Sequence, residues 1–452
     1  MRLSDEKISN IFGEYSVKKE LVNMLGISRI PRFIAEYLIS KFYVNDISNS
    51  KQLSDFINVH FPEMKDKDKV LHELMNKGSY TLIDEFKVET MIYKERYNVI
   101  IPRLGIYNAR IIPSLLDDNI ELLRSGLWGM ATLQYTRGND KPDVLISRFT
   151  PFQVTNVDLN EYNSKRSMFS REEWIELMIR SIGLNPDVYD EKQRLLLLSR
   201  LIPLVEPNCN ILELGPKATG KTYLYRNISH HTRVIAGGKI SAPMLFYNIN
   251  SKSAGEIALR DALIFDEINR MRFVNDEIIG KLKDYMVDGF FERGPKKAYS
   301  TCSLVFIGNV EEDSLDALPD FMRDSALLDR INGFIYGWNL PKIKQSSEHL
   351  AKGYGIVADY LSQIFHQLYL EDYDYIIREN VRFDDLTIRD EKSIVKLGAG
   401  LLKIIFPDKR FEREDLVLCI EQAIMLRENV NRLLRDLAPD EFKKRDIKYK
   451  II

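Results

Sequence analysis

The sequence predicts an α/β domain with a parallel sheet, preceded by an α+β region that contains a small β-barrel and followed by helices. Three features of the 452-residue chain predict this arrangement. Between about residues 171 and 345, short apolar runs alternate with helical periodicity, which is typical of a parallel sheet. Residues 80–157 hold several short runs rich in β-branched and aromatic residues, as in a small antiparallel barrel. Beyond residue 345 the helical period continues to the end of the chain.

These changes in pattern predict three domains. The first covers residues 1–165, beginning with helices over about 80 residues and continuing into the barrel. The second, the α/β domain, covers residues 166–345. The third, a helical lid, covers residues 346–452. The polar stretch 158–170 reads as a linker between the first two domains.

The composition excludes several classes of protein. Hydrophobic residues make up 45% of the chain and charged residues 29%, which is ordinary for a folded globular protein and not for a disordered one. The formal net charge is −2, so a nucleic-acid partner would need a local basic patch. The three cysteines are too few for a disulfide framework and too far apart for a zinc site. The charged N-terminus and the lack of an 18-residue apolar run predict a cytoplasmic protein without a membrane segment.

The strongest motif is a glycine-rich loop that fits G-x-x-x-x-G-K-[ST] and consists of Gly215, Pro216, Lys217, Ala218, Thr219, Gly220, Lys221 and Thr222. It follows the apolar run 211–214 and leads into a helix from Tyr223, also a candidate contact. The N–H groups of such a loop bind phosphates, which predicts an ATP site. Lys221 would contact the β- and γ-phosphates, and the Thr222 hydroxyl would ligate Mg²⁺. Ala218 stands where glycine is usual, which is tolerable if its φ is negative.

Two later apolar runs also end in polar side chains. Residues 262–265 precede Asp266 and Glu267, and residues 304–308 precede Asn309. Ligands of open α/β sheets bind at the carboxyl ends of the strands. We expect Asp266 to hold Mg²⁺ through water, Glu267 to polarise the attacking water and Asn309 to orient it. Because no N-K-x-D motif follows, ATP is favoured over GTP.

Two arginines further along are candidates for reaching a nucleotide phosphate. Arg330 follows a short amphipathic helix and would act as an arginine finger in a neighbouring subunit's site, with Arg323 as the competing candidate. Arg389 begins a helix that Thr387 is expected to cap, and from there it would close onto the γ-phosphate. In order and spacing, these motifs follow the layout of an AAA+ ATPase.

A turn at Gly294-Pro295 predicts a hairpin between the carboxylate pair and Asn309. Its basic residues, Arg293, Lys296 and Lys297, are candidates for binding DNA phosphates in the pore of a ring. Protein unfoldases place an aromatic residue at this position, so Phe290 and Phe291 keep that alternative open. The barrel is a candidate oligonucleotide-binding (OB) fold. Its arginines are Arg96, Arg103, Arg110, Arg137 and Arg148.

Longer strings show a resemblance to the BrxL family, the Lon-related AAA+ proteins of BREX phage-exclusion systems. It extends through most of the chain and includes Ile30-Pro31-Arg32-Phe33, Glu213-Leu214-Gly215-Pro216, Lys283-Asp284-Tyr285-Met286 and Gly337-Trp338. The resemblance implies a hexamer or stacked rings that bind double-stranded DNA in anti-phage defence, with other BREX proteins as partners. Arg330 and Arg389 also look like the finger and lid arginines of MCM-type helicases.

The resemblance also implies a Lon-protease-like domain after the lid in full-length members. This chain ends at Ile452, so we expect a short form or a truncated chain without protease activity.

Three hypotheses of function remain open from the sequence. The first is a DNA motor or clamp with DNA-stimulated ATP hydrolysis, and the basic hairpin favours it. The second is a protein remodeller of the unfoldase class, which an essential Phe290 or Phe291 would favour. The third is a scaffold whose assembly ATP controls, which unchanged function in Glu267→Gln would favour.

Overall fold

The computed structural model describes residues 3–24, 30–42, 50–124, 126–137, 142–154, 156–311, 318–444 and 446–452. It divides the chain into two compact units. The smaller unit is Glu20–Val157, and the larger combines Met1–Lys19 with Asp158–Ile452. The chain begins with α1 (Asp5–Phe12), β1 (Ser16–Lys18) and α2 (Lys19–Met24). The first 19 residues therefore belong to the larger unit, whereas the sequence placed them with the barrel.

The smaller unit is built around a closed five-stranded β-barrel. Its elements are α3 (Arg32–Phe42), α4 (Ser50–His60), α5 (Lys67–Lys77), β2 (Ser79–Met91), β3 (Arg96–Ile101), β4 (Ile106–Ile111), α6 (Ser114–Asp118), β5 (Leu127–Arg137) and β6 (Pro142–Pro151). The strands follow the order β2-β3-β4-β6-β5, and β5 pairs with β2 to close the barrel. The pairs are antiparallel except for the parallel pair β4–β6. The barrel predicted from the sequence is present, but its longest strand, β2, was not predicted.

The core of the larger unit is a five-stranded parallel sheet. Its elements are α7 (Leu159–Arg166), α8 (Arg171–Ser181), α9 (Glu191–Ser199), β7 (Ile211–Gly215), α10 (Lys221–Ile228), β8 (Thr232–Ile240), α11 (Ala242–Leu245), β9 (Tyr247–Asn248), β10 (Ser253–Ala254), β11 (Ala262–Phe273), α12 (Glu277–Asp288), β12 (Phe290–Arg293), β13 (Lys296–Tyr299), β14 (Ser303–Asn309), α13 (Ser325–Leu328) and β15 (Gly333–Tyr336). The strand order is β15-β7-β14-β11-β8, with every pair parallel. All five residues of β7 are buried, as expected for a strand covered on both faces. The predicted parallel α/β sheet is confirmed.

The predicted linker at 158–170 is wrong, because most of it forms the packed helix α7. Tyr162 and Arg166 are buried although the helix is otherwise polar. The Arg166 side chain donates hydrogen bonds to the carbonyl oxygens of Ile405 and Phe169, at 2.7 and 2.8 Å. A helix with two buried residues in eight has a loop-like composition, which explains the wrong prediction.

The remaining elements are mostly helical, as the sequence predicts. They are α14 (Ser346–His349), β16 (Tyr354–Ile356), α15 (Ala358–Leu370), α16 (Asp374–Asn380), β17 (Val381–Asp384), α17 (Ile388–Ile405), α18 (Arg413–Leu437) and β18 (Lys448–Ile451). The antiparallel pairs β1–β16 and β17–β18 were not predicted. Within the described part of the chain, we find no helix with the length and apolar character needed to cross a membrane.

Candidate active site

The glycine-rich loop connects β7 to α10 at the carboxyl edge of the sheet. Gly220 precedes the helix with φ of +79°, a conformation that glycine adopts without strain. The Lys221 ammonium donates hydrogen bonds to the carbonyl oxygens of Gly215 and Pro216, at 2.9 and 2.7 Å. Burial lowers the pKa of Lys221, while the Glu213 carboxylate opposes this shift. The lysine side chain is therefore held within the loop by the loop's own carbonyl oxygens.

Ala218, in the same loop, differs from the expectation of negative φ. Its φ is +65°, in the left-handed region. An alanine there is strained by contact between Cβ and the backbone. The Ala218 carbonyl accepts a 2.7 Å hydrogen bond from the N–H of Ile343, which helps to hold this conformation.

A buried ion pair supports the loop from inside the domain. The Arg200 side chain donates to both carboxylate oxygens of Glu213, at 3.1 and 2.6 Å. Its third contact, at 3.0 Å, reaches the carbonyl oxygen of Thr219 in the loop. Both members of the pair are fully buried. No motif in the sequence signals a contact between the end of α9 and β7, so this pair cannot be found from local pattern.

The candidate magnesium and water-positioning residues lie on the strands beside the loop. In the sheet β14 separates β7 from β11, so all three strands end at one edge. Asn309 is the register partner of Gly215. Asp266 is buried, and its Oδ2 lies 3.9 Å from the Arg226 guanidinium. Asp266 directly follows Phe265, the last residue of β11 that pairs with β14, and β11 itself continues along β8 to Phe273. Asp266 and Asn309 thus lie on neighbouring strands, and Asn309 is level with the start of the loop.

Glu267 has an unusual backbone for a strand residue, with φ of +52°. The pairing of β11 with β8 shifts register between Asp266 and Met271, so the bulge begins at this glutamate. Its carboxylate accepts a 3.3 Å hydrogen bond from Arg270. Strained residues of this kind persist only where the surrounding structure holds them in place, and they concentrate at functional sites.

The two candidate arginines lie at the opposite edge of the sheet. Arg330 comes just before β15, whose first residue, Gly333, pairs with Ile211 at the start of β7. Arg389 forms an ion pair with Asp329, next in sequence to Arg330. The length of β7, about 16 Å, separates this edge from the loop. The structure therefore brings the two arginines near each other and not to their own chain's phosphate-binding loop. Thr387 caps α17 as predicted, accepting from the N–H of Asp390 at 3.1 Å.

A buried arginine that the sequence analysis missed organises this second edge. The guanidinium of Arg427, on α18, lies 2.7 Å from an oxygen of Asp390 and 2.9 Å from one of Asp329. Burial alone would raise the pKa of Asp390, but Arg427 and Thr387 hold it below its usual value. Arg427 thus positions the carboxylate that pairs with Arg389. Its partners are 37 and 98 residues away in sequence, so no local pattern could reveal it.

Two protein-family models together match nearly the whole chain. Residues 144–448 match the model described as "Lon-like protease BrxL-like, ATPase domain". Residues 10–135 match "BREX system Lon protease-like protein BrxL N-terminal". The chain belongs to the BrxL family. Its parallel sheet and glycine-rich loop agree with an α/β fold of the AAA+ type.

Two curated members of the BrxL family, both named "Lon-like protease BrxL", are similar along the chain. One, from Escherichia coli O9:H4 (strain HS), is 29% identical over 459 residues, covering 97% of this chain and 65% of that protein. The other, from Bacillus cereus (strain H3081.97), is 29% identical over 456 residues, covering 96% and 67%. The chain thus spans about two thirds of the length of these BrxL relatives.

The predicted basic hairpin of this BrxL-family chain is present as β12 and β13. Lys296 and Lys297 are exposed, and Arg293 is half-buried. Phe291 packs in the core, 5.4 Å from the ring of Phe246, so it is not available to a substrate. The exposed aromatic ring of the hairpin is Tyr299, at 78% exposure, which the sequence analysis did not single out.

The arginines of the barrel differ in their surroundings. Arg103 stacks on Phe61, 3.6 Å from the ring centre, and lies near Asp84, so it has a structural role. Arg110 forms an ion pair with Asp143. Arg96 and Arg148 are exposed. The side chain of Arg137 lies outside the described residues.

Proposed function

We propose that this chain hydrolyses ATP at sites shared between subunits of a ring, and that the ring acts on double-stranded DNA in phage defence. Within one subunit, the loop 215–222 would bind the phosphates and Tyr223 would flank them. Glu267 would polarise the attacking water, and Asn309 would orient it. Mg²⁺ would be held by Thr222 and Asp266, where it would neutralise phosphate charge.

The separation of the two halves of the site carries this proposal. The loop and Asn309 lie at the carboxyl edge of the sheet, with Asp266 on the neighbouring strand, whereas Arg330 and Arg389 lie at the amino edge. An arginine that stabilises phosphoryl transfer must touch the transferred group. A second subunit that offers its amino edge would supply both arginines. Repeating such a head-to-tail contact generates a ring when the rotation between neighbouring subunits closes.

A mixing experiment tests whether the site is shared. Lys221→Ala subunits lack the loop lysine, and Arg330→Ala subunits lack the finger, so each protein alone should be inactive. Co-expressed in equal amounts, they should regain roughly a quarter of the wild-type rate, because that fraction of random contacts joins two intact halves. The measurement is ATP hydrolysis by the purified mixed protein.

The matched control combines Lys221→Ala with Glu267→Gln. Both changes lie in the same half of the site, so no contact between these subunits is intact and the mixture should stay inactive. Recovery in this control, or none in the Lys221→Ala and Arg330→Ala mixture, would contradict a shared site.

The exposed lysines of the hairpin support DNA as the substrate. Lys296 and Lys297 follow the turn at Gly294-Pro295, and Lys297 forms an exposed ion pair with Glu292 at 3.4 Å. Lysines exposed in this way bind phosphate backbones without reading sequence. The closed barrel with its parallel pair β4–β6 supports an OB-type second contact, at Arg96 and Arg148.

The DNA test measures ATP hydrolysis with and without duplex DNA at low and raised salt. We expect stimulation that fades as salt rises and is lost in Lys296→Ala/Lys297→Ala. The control is Lys443→Ala/Lys444→Ala, which removes two exposed lysines elsewhere and should keep stimulation. Hydrolysis indifferent to DNA at both salts would contradict a DNA substrate.

The exposed ring of Tyr299 favours protein remodelling as the second candidate function. Loss of function in Tyr299→Ala, with the lysine pair dispensable, would support it. Unchanged function in Glu267→Gln would instead support a scaffold whose assembly ATP binding controls.

A further inference from the structure

Three polar side chains meet at the amino edge of the parallel sheet, away from the nucleotide site. His231 directly precedes β8 and Asp261 directly precedes β11. These strands are neighbours, and their first residues, Thr232 and Ala262, are register partners. His366 reaches the same place from the middle of α15. Three of the six histidines of the chain, including His230, are therefore gathered here.

We propose that His231, Asp261 and His366 bind a divalent transition-metal ion such as Zn²⁺. Each of the three side chains offers a ligand atom, and these atoms all lie within 4.8 Å of one another. Two imidazoles and one carboxylate are ligands that zinc accepts, with water in a fourth position. This site is independent of ATP binding and of the proposed function.

The distances show how little the side chains must move. His366 Nδ1 is 2.7 Å from Asp261 Oδ2, while His231 Nδ1 is 4.0 Å from the same oxygen, beyond hydrogen-bond reach. Ligands of a tetrahedral zinc ion are about 3.3 Å apart, so His231 must approach Asp261 by about 0.7 Å and His366 must move away from it by about 0.6 Å. The rings of His231 and His366 now stack at 4.2 Å, and one ring must rotate to aim its lone pair at the ion.

The surroundings of the ligand atoms favour a cation. In the described part of the chain, the buried Nε2 of His231 has no hydrogen-bond partner. Asp261 supplies the only negative charge of the three, and all three side chains are partly exposed, so water can reach the ion.

His230 lies behind the cluster and supports it. Its ring is 4.1 Å from the ring of His231, and its Nε2 is 3.1 Å from the Gln363 amide nitrogen. Asp359 is 3.5 Å from its Nδ1. Outer groups of this kind orient ligating histidines. A bound ion would tie α15 to the starts of β8 and β11.

The experiment titrates the full chain with Co²⁺ in excess Mg²⁺ and without ATP. We expect one Co²⁺ per chain with visible absorption typical of a tetrahedral nitrogen and oxygen site, displaced by Zn²⁺. His366→Ala should lose affinity by more than the roughly 10–100-fold that loss of an outer-shell group costs. The matched control is His72→Ala, an exposed histidine in the smaller unit, which should bind as the wild type does.

A second variant keeps the test valid if His366→Ala fails to fold. Asp261→Asn retains a hydrogen-bond partner for His366 but removes the charge, and it should also lose the absorption while its circular dichroism stays unchanged. Lys221→Ala, defective at the nucleotide site, should bind Co²⁺ normally. Equal binding in wild type and His366→Ala, no visible absorption, or a near-ultraviolet thiolate band from a cysteine would overturn the proposal. A simple hydrogen bond between His366 and Asp261 would then account for the cluster.

Discussion

Two residues of the candidate site hold a backbone conformation that their side chains disfavour. Ala218 has φ of +65° and Glu267 has φ of +52°. Such conformations cost of order 1–3 kcal/mol and persist only where the surroundings fix them. Glu267 lies at the start of the bulge of β11, where the regular pairing with β8 is interrupted. At Ala218 we assign no function to the methyl group, so a substitution that relieves the strain should leave the site intact.

Ala218→Gly should therefore stabilise the protein by about 1 kcal/mol, because glycine adopts positive φ without the contact at Cβ. ATP affinity should be unchanged or higher, since the backbone N–H groups keep their positions. Chemical denaturation monitored with and without ATP measures both quantities.

The control is Ala399→Gly in the middle of α17, where the backbone is helical and alanine is not strained. It should lose about 1 kcal/mol or more, from helix propensity and a lost buried methyl group. A loss of stability in Ala218→Gly of the size seen in the control would contradict the strain at Ala218.

At this scale, the sequence singles out residues that stand at a fixed position in a local motif. Lys221 and Thr222 follow from the loop motif, and Asp266 and Asn309 from apolar runs that end in polar groups. Arg200 and Arg427 were missed because their partners are distant in sequence and a buried arginine carries no motif. The φ of Ala218 was expected to be negative; the hydrogen bond from the N–H of Ile343, 125 residues later, helps to hold the positive value and could not be read from the loop motif.

At the scale of an element, β2 is hard to recognise because charged residues stand between its buried ones. It carries charged residues between buried Leu82, Ile83 and Phe86, so its composition resembles a polar segment. One of its charges, Asp84, is itself buried and accepts a 2.8 Å hydrogen bond from the N–H of Arg103. Burial raises the pKa of Asp84 to about 6.

This shift predicts a pH dependence of the barrel's stability. Between pH 3.8 and about 6 the folded state binds more protons at Asp84 than the unfolded state. The free energy of unfolding therefore falls as pH rises through that window, by about 2–3 kcal/mol, and stays lowered above it. Asp84→Asn keeps an acceptor for Arg103 and should abolish this part of the dependence. Denaturation of both proteins at several pH values gives the difference, and parallel curves would contradict the buried ionisation.

The pair between Arg200 and Glu213 connects α9's end, β7 and the loop. Arg200→Met leaves a buried carboxylate without its partner and should cost about 3–5 kcal/mol. Arg200→Met/Glu213→Met removes both charges and should recover most of that stability. It cannot restore the contact to the Thr219 carbonyl, so the KM for ATP should remain raised in the double variant. A double variant with wild-type KM would show that the pair stabilises the fold without positioning the loop.

At the scale of the whole molecule, the sequence located the barrel and the α/β sheet but misassigned the first 19 residues. Composition distinguishes neighbouring segments of a chain from each other. It does not show that a strand pairs with a segment hundreds of residues away. Ser16 pairs with Ile356, 340 positions later. The buried Lys19 ammonium donates to the carbonyl oxygen of Ile356 at 2.7 Å, and Asp5 pairs with Arg180 at 3.0 Å.

Removing residues 1–18 should therefore weaken the larger unit and leave the barrel unaffected. The deletion frees the edge of β16 and takes away the Asp5 carboxylate that Arg180 and the Tyr354 N–H contact. Hydrogen exchange should speed up in peptides that cover β16 and α8, with barrel peptides unchanged. Asp5→Asn, which retains one acceptor, should give a smaller effect in the same peptides. Faster exchange confined to the barrel would instead assign the segment to the smaller unit, as the sequence first suggested.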